Sequence, residues 1–235
     1  MDRMIPKLIS FKLCPFVQRA SIVLRYKAIE HEVIYIDLAS PPEWFLKISP
    51  LKKVPLLLIG DHVIFESSVI NEYLDEAYPK KMHPEDLLLR AKNRAWIEFG
   101  NICMWDAFHL SVKDSEQGFN EAHSGLLDKF DQLEKAIGDT PFFNGKLLSL
   151  VDASYAPLLQ RLKYIDALKP GIFDRVRHPK INGWKDALLE LEIVRDSCVP
   201  EIEKLYYEQL WKRQGFVSRF LERERYDSNV KKSLH

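Results

Sequence analysis

Residues 10–19, Ser-Phe-Lys-Leu-Cys-Pro-Phe-Val-Gln-Arg, place a cysteine directly before a proline, where an apolar segment gives way to an amphipathic one. Because proline is favoured in the first turn of a helix, the pattern predicts that Cys14 is the N-cap of a helix beginning at Pro15. Free amides and the helix dipole at such a position favour a thiolate and lower a cysteine pKa. The sequence therefore predicts a nucleophilic thiol, although a buried structural cysteine at a helix start fits the spacing equally well.

The residue three positions after Cys14 decides between two kinds of redox chemistry. A dithiol oxidoreductase has a second cysteine there, whereas this chain has Val17. A mixed disulfide on Cys14 would have to be released by an outside thiol, and glutathione is the small thiol of a reducing cytosol. The other two cysteines, Cys103 and Cys198, are far away in sequence and are predicted to have no role.

Composition limits the class of protein. The chain has 235 residues, of which 46% are hydrophobic and 29% charged, enough for one large or two ordinary domains. The 34 basic and 34 acidic residues cancel, so bulk charge indicates neither a nucleic-acid nor a membrane partner. Three scattered cysteines, no secretory leader and no membrane-length apolar stretch predict a soluble cytoplasmic protein. The seven histidines lack metal-ligand spacing, so we expect no metal.

The elements that must position Cys14 change in kind near residue 80. Before it, predicted strands at 8–11, 32–36, 55–59 and 63–65 and two helices give a βαβ unit followed by a hairpin and a helix. After it, helical periodicity dominates. The predicted apolar stripes are Leu88, Ala91, Ala95, Phe99 and Ile102, then Leu126, Phe130, Leu133 and Ile137, then Leu158, Leu162 and Ile165. We predict an N-terminal domain over 1–79, a linker over 80–85 and a helical domain over 86–235.

Two further segments of the first half carry candidate binding groups. A cis bond before Pro55 would leave the Val54 backbone free to pair with an extended peptide, although a trans proline that opens a strand fits the same sequence. Ser67 or Ser68 is a candidate N-cap, and a helix N-terminus binds a carboxylate while Glu66 can hold an ammonium group. Together these groups suit the head of an α-amino acid. Alone, the segment is a plain helix cap.

In this order, the motifs resemble the thioredoxin-like half of cytosolic glutathione transferases, and most of all the cysteine-type omega and dehydroascorbate-reductase-like classes. The resemblance is specific over residues 8–79, and the segment from Ser149 to Asp152 is similar to the N-capping box of the family's central helix. It implies an α/β thioredoxin-like N-terminal domain followed by an all-α C-terminal domain. It also implies a homodimer that uses glutathione as co-substrate.

The resemblance implies a role for each matching residue. These residues are Cys14 as the catalytic cysteine, Phe16 beside glutathione, Val54 before cis Pro55 pairing with its cysteinyl part, and Glu66 with Ser67 holding its γ-glutamyl amine and carboxylate. Lys53 matches a residue near the glycyl carboxylate. Pro41 stands where omega members often have a lysine, which leaves the contact to the glycyl end open.

A cysteine in this position implies thiol transfer, deglutathionylation and reduction of dehydroascorbate or disulfides through a glutathione mixed disulfide. The alternatives are conjugation, reductive dehalogenation or ether cleavage by the same fold, and a noncatalytic interaction module like the stringent starvation protein. Trp105, Phe108 and Tyr164 are candidates to line an apolar co-substrate pocket, although aromatic residues at helical spacing are more often core. The tail over 212–235 is predicted to be a solvated helix or a fraying end, or else a cap on that pocket.

Overall fold

The first half of the chain is built on a four-stranded sheet, in a computed structural model that describes residues 4–221. The strands are β1 (Lys7–Ser10), β2 (Glu32–Tyr35), β3 (Leu56–Ile59) and β4 (His62–Phe65), in the spatial order β2-β1-β3-β4. β1 pairs in parallel with β2 and antiparallel with β3, which pairs antiparallel with β4. The central strands are fully buried at Leu8, Ile9 and Leu57, as expected for short apolar runs covered on both faces.

Three helices accompany the sheet: α1 (Pro15–Tyr26), α2 (Glu43–Ile48) and α3 (Ser67–Ala77). α1 connects the parallel strands β1 and β2, and it is buried continuously from Val17 to Leu24. That burial arises because α1 packs against β1 and α3 and also against a helix of the second half. The predicted βαβ unit, hairpin and helix are confirmed, with strand ends within one residue of the predicted ones.

The second half is helical in the residues described. Its helices are α4 (Leu87–Val112), α5 (Glu116–Ala136), α6 (Leu150–Leu168), α7 (Pro179–Glu190), α8 (Glu192–Arg195) and α9 (Ile202–Arg213). The predicted fold class, a thioredoxin-like sheet domain followed by helices, is confirmed. Within residues 4–221, no helix has the length and apolar character needed to cross a membrane. Of the predicted tail, 212–221 is described and 222–235 lies outside the described residues.

α6 is the central helix of this half and is buried nearly all round. The predicted capping box at its N-terminus is confirmed: the Ser149 hydroxyl accepts from the Asp152 amide, and the Asp152 carboxylate accepts from the Ser149 amide at 2.7 Å. That carboxylate also accepts from the Phe143 amide at 2.9 Å and from Trp184 Nε1 at 2.6 Å. One buried carboxylate thus joins α6, α7 and the preceding loop.

The predicted apolar stripe on α4 is wrong. Leu88 is 64% exposed, Ile102 is 52% exposed, and Ala91 and Ala95 are exposed as well. The buried face instead consists of Asn93, Ile97, Gly100, Cys103, Met104, Ala107 and Leu110. The physical reason is close packing on α6, since a Cβ on Gly100 would lie 2.8 Å from Cε2 of Tyr155. The stripes predicted on α5 and α6 are buried as expected.

The segment between α3 and α4 is anchored by charged groups of both halves. The buried Lys27 ammonium lies 2.9 Å from Asp75 and donates to the carbonyls of Pro79 and Lys80 at 2.9 Å. Glu72 on α3 pairs with Arg94 of α4 at 2.6 Å. α3 ends at Ala77 and α4 begins at Leu87. The division into 1–79, 80–85 and 86–235 remains a prediction.

Candidate active site

Cys14 lies in the short segment between β1 and α1. It is the N-cap of α1 with extended backbone angles (φ −70°, ψ 115°), as predicted, and Pro15 begins the helix. Its Sγ donates to the Val54 carbonyl at 3.8 Å. The Val54–Pro55 peptide bond is cis, the first of the two alternatives considered above. The first helix and the loop before β3, 40 positions apart in sequence, therefore meet at this thiol.

Two opposing effects act on the Cys14 thiol. Burial raises its pKa above the ordinary value, and this is the larger effect. The amides of Val17 and Phe16 lower the pKa, and so do the cations Arg161 and Arg19. The amides predicted to act on the sulfur are therefore present. The predicted lowering of the Cys14 pKa is wrong, because loss of hydration raises the pKa more than the helix end lowers it.

The two arginines near Cys14 are buried and hydrogen-bonded to neutral oxygens. Arg161 on α6 donates to the Leu13 carbonyl at 3.4 Å and to the side-chain oxygens of Gln18 and Gln160. Arg19 on α1 donates to the Ser154 carbonyl at 2.9 Å and to Asn101. Among the described residues neither pairs with a carboxylate, so their positive charge is felt at the sulfur. They also fix α1 against α4 and α6.

An apolar cavity of about 370 Å³ opens beside the thiol. Its walls combine residues of both halves, and the ones relevant here are Cys14, Phe16, Leu38, Met104, Trp105, Phe108, Arg161, Tyr206 and Arg213. The rings of Phe16 and Trp105 lie 6.4 Å apart, and those of Trp105 and Phe108 lie 5.8 Å apart. Trp105 and Phe108, two of the residues predicted to line a co-substrate pocket, thus both line this cavity.

Tyr164 does not belong to this cavity, which corrects the prediction that grouped it with Trp105 and Phe108. It lies three positions after Arg161 on α6 and lines a different cleft, together with Arg25, Arg195 and Cys198. Its ring packs 5.8 Å from that of Tyr206, and Tyr206 is the residue that reaches the cavity beside Cys14. Arg161 and Tyr164 are thus about one turn apart on α6 and line different cavities.

The remaining predicted binding residues lie in the loop before β3 and at the start of α3, directly after β4. Register pairs Leu56 with Phe65, so Pro55 and Glu66 are the next residues on neighbouring strands. Glu66 is the N-cap of α3 with φ +68°, and Ser67 is the buried first residue of the helix. The expectation that Ser67 or Ser68 is the N-cap is therefore wrong. The Ser49 hydroxyl accepts from the Lys53 amide at 3.1 Å and so holds the loop before Val54.

The wall residues that were missed from the sequence include Arg161, Tyr206 and Arg213. Arg161 interrupts the apolar run of α6, and a charge within a predicted buried stripe is a usable signal. Tyr206 and Arg213 are separated by seven positions, two turns of α9, but nothing in the sequence places α9 beside Cys14. Among the described residues no cluster of three or more histidine, cysteine or acidic side chains could hold a metal.

The fold and the site define a class: a sheet domain carrying one thiol at its first helix and cis proline, joined to a helical domain that closes the cavity. Residues 8–82 match the model of the glutathione S-transferase N-terminal domain, and residues 116–187 match that of the C-terminal domain. The chain belongs to the glutathione S-transferase family. It is a glutathione transferase enzyme.

The chain is also similar to individual proteins of known name. Glutathione S-transferase omega-1 of Rattus norvegicus is 35% identical over 189 residues, 77% of this chain and 75% of that protein. Pyrimidodiazepine synthase of Drosophila melanogaster is 33% identical over 233 residues, 96% of this chain and 90% of that protein. The crystal structure of a tau class glutathione S-transferase from Mangifera indica superimposes with a TM-score of 0.78 at 25% identity, covering 89% of this chain and 98% of that one.

Proposed function

We propose that this enzyme is a glutathione-dependent thiol transferase that works through a mixed disulfide on Cys14. The observation that carries the proposal is the single thiol at the head of α1, beside the Val54 carbonyl and the apolar cavity. The likeness to omega-class transferases supports the same reading. Its substrates are glutathione mixed disulfides and small oxidised molecules.

No second thiol lies near Cys14 in the described residues to resolve such a disulfide. Val17 occupies the position of a resolving cysteine, Cys103 is fully buried on α4, and Cys198 lines the separate cleft. The cycle therefore needs external glutathione. Cys14 thiolate attacks the glutathionyl sulfur of GS–SR, the S–S bond breaks, and RS⁻ leaves and takes a proton. A second glutathione thiolate then attacks the Cys14 disulfide, which releases oxidised glutathione and restores the thiolate.

Glutathione is proposed to lie along the loop that ends at Pro55. The Val54 backbone would pair with its cysteinyl unit, and Glu66 and Ser67 would hold the γ-glutamyl amine and carboxylate. The strand register supports this arrangement, because it places Glu66 beside Pro55 on the neighbouring strand. Lys53, exposed on the same loop, is the cation available for the glycyl carboxylate.

The first experiment compares three activities of the wild type with those of Cys14→Ser: glutathione-dependent reduction of hydroxyethyl disulfide, the same for dehydroascorbate, and conjugation of chlorodinitrobenzene. We expect both reductions in the wild type and their loss by about 1,000-fold or more in Cys14→Ser, since the nucleophile itself is removed. Conjugation is expected to be weak.

Cys198→Ser is the matched control, because it removes a partly buried thiol that does not line the cavity. It is expected to keep wild-type reductase activity. Reduction that survives in Cys14→Ser, or a wild type that conjugates but does not reduce, would refute thiol transfer and favour conjugation. Glutathione binding without any of the three activities would favour an interaction module.

A further inference from the structure

The cavity beside Cys14 has an unusual charge balance: its walls contain two guanidinium groups and no carboxylate. Elsewhere in the described chain, several exposed arginines have acidic partners. Arg94 pairs with Glu72 at 2.6 Å, and Arg177 pairs with Asp131 at 2.6 Å. The guanidinium groups of the cavity lack such a partner. Arg161 is buried, so its charge acts more strongly than in water, whereas Arg213 is exposed.

The two arginines differ in what their donors contact. Arg161 donates its hydrogen bonds to Leu13, Gln18 and Gln160, which hold its side chain in place. Arg213, the last residue of α9, lies with its guanidinium carbon 4.6 Å from the centre of the Phe108 ring. No carboxylate among residues 4–221 contacts Arg213. Its N–H groups are therefore the ones available to a molecule in the cavity.

The neighbouring phenol does not neutralise this charge. Burial raises the pKa of Tyr206 to about 12, so its hydroxyl stays protonated at physiological pH. The other wall residues include the apolar side chains of Trp105, Phe108 and Met104 and the neutral polar side chains of Ser111 and Gln209. A molecule that fits the cavity must pack an apolar part against the aromatic residues and place another part next to the guanidinium of Arg213.

We propose that Arg213 selects co-substrates with an aromatic body and a negatively charged acidic group, the aryl ring packing on Trp105 and Phe108 and the acidic group pairing with the guanidinium of Arg213. This inference rests on the proposed thiol transfer at Cys14 and names the substrate class of that site. A guanidinium that lies over a ring can still donate hydrogen bonds to a carboxylate.

The test uses two glutathione mixed disulfides, one with 4-mercaptobenzoate and one with its neutral isostere 4-mercaptobenzamide. In each, Cys14 thiolate attacks the glutathionyl sulfur and the arylthiolate leaves, and glutathione then regenerates Cys14. We expect kcat/KM of the wild type to favour the carboxylate by about tenfold, the size expected for one charge-assisted hydrogen bond. Arg213→Gln should abolish this preference, so that the two probes react with equal kcat/KM.

Lys212→Gln is the matched control. It removes one positive charge at the residue next to Arg213, and the Lys212 side chain does not line the cavity. It should keep the preference. Equal kcat/KM for the two probes in the wild type, or a preference that survives in Arg213→Gln, overturns the inference although thiol transfer stands. So does failure of both aryl probes while hydroxyethyl disulfide is reduced. If hydroxyethyl disulfide is not reduced either, the proposed function itself fails and this inference with it.

Discussion

The thiol of Cys14 shows how a helix N-terminus and burial compete at one residue. Two amides and two guanidinium groups favour the thiolate, yet burial is the larger effect and raises the pKa. A thiolate in this cavity has lost the hydration that it has in a free peptide. The two arginines that counteract burial also tie α1 to α6, so the chemistry of the thiol depends in part on the contact between the two halves.

The reactivity of Cys14 should therefore increase with pH beyond the range of a free thiol. A raised pKa means less thiolate at neutral pH, so alkylation by iodoacetamide at pH 7 should be slower than that of glutathione, and its rate should still be rising above pH 9. Cys198→Ser is the suitable background, with the rate followed by mass spectrometry. A rate that is already constant below pH 8 would show that the amides and arginines outweigh burial.

Among the elements, the contact between α4 and α6 shows what a sequence pattern leaves out. Apolar periodicity places Leu88, Ala95 and Ile102 in the core, but the structure turns that face outward. Close approach of α4 to Tyr155 requires a residue without a side chain at Gly100, and the Tyr155 hydroxyl donates to the Trp96 carbonyl at 2.8 Å. Helix approach therefore determines the buried face.

Two glycine substitutions should change stability in opposite directions. Gly100→Ala places a methyl group 2.8 Å from a fully buried ring and should destabilise the protein by about 1–2 kcal/mol, overpacking exceeding the gain in helix propensity. Gly125→Ala on α5 meets no atom within 4 Å and should stabilise it by about 0.5–1 kcal/mol. Urea unfolding of both variants measures this. Equal changes for the two would mean that α4 and α6 are not so closely packed.

At the scale of the elements, the sequence predicted the helix starts that depend on neighbouring residues. It did not predict the features that depend on tertiary contacts. Pro15 after Cys14 and the Ser149–Asp152 spacing each predict a helix start that the structure contains. The outward turn of the α4 stripe and the position of Arg213 depend on how helices distant in sequence pack together. For the same reason, Tyr206 lines the cavity and the predicted Tyr164 does not.

At the scale of the whole molecule, several apolar side chains of α4, α3 and β4 are exposed and not part of the core. Leu87 is 71% exposed and Leu88 64%, both in the first turn of α4, and Val69 on α3 is 52% exposed. β4 is an edge strand of the sheet, and its last residue Phe65 is 41% exposed. Exposed apolar residues of this kind mark association surfaces. Their origin in both halves agrees with the predicted homodimer, in which the sheet half of one subunit meets the helical half of the other.

We expect light scattering at micromolar concentration to give twice the 27.5 kDa of one chain. Leu88→Glu should weaken association by about 2–3 kcal/mol, because it places an unpaired charge in an apolar contact, and the variant should dissociate on dilution. Val176→Glu makes the same change at a residue that is 93% exposed in the loop before α7, and should leave the dimer intact. A wild type of single-chain mass would exclude the dimer. Dissociation by Val176→Glu but not by Leu88→Glu would move the interface to the other side of the helical half.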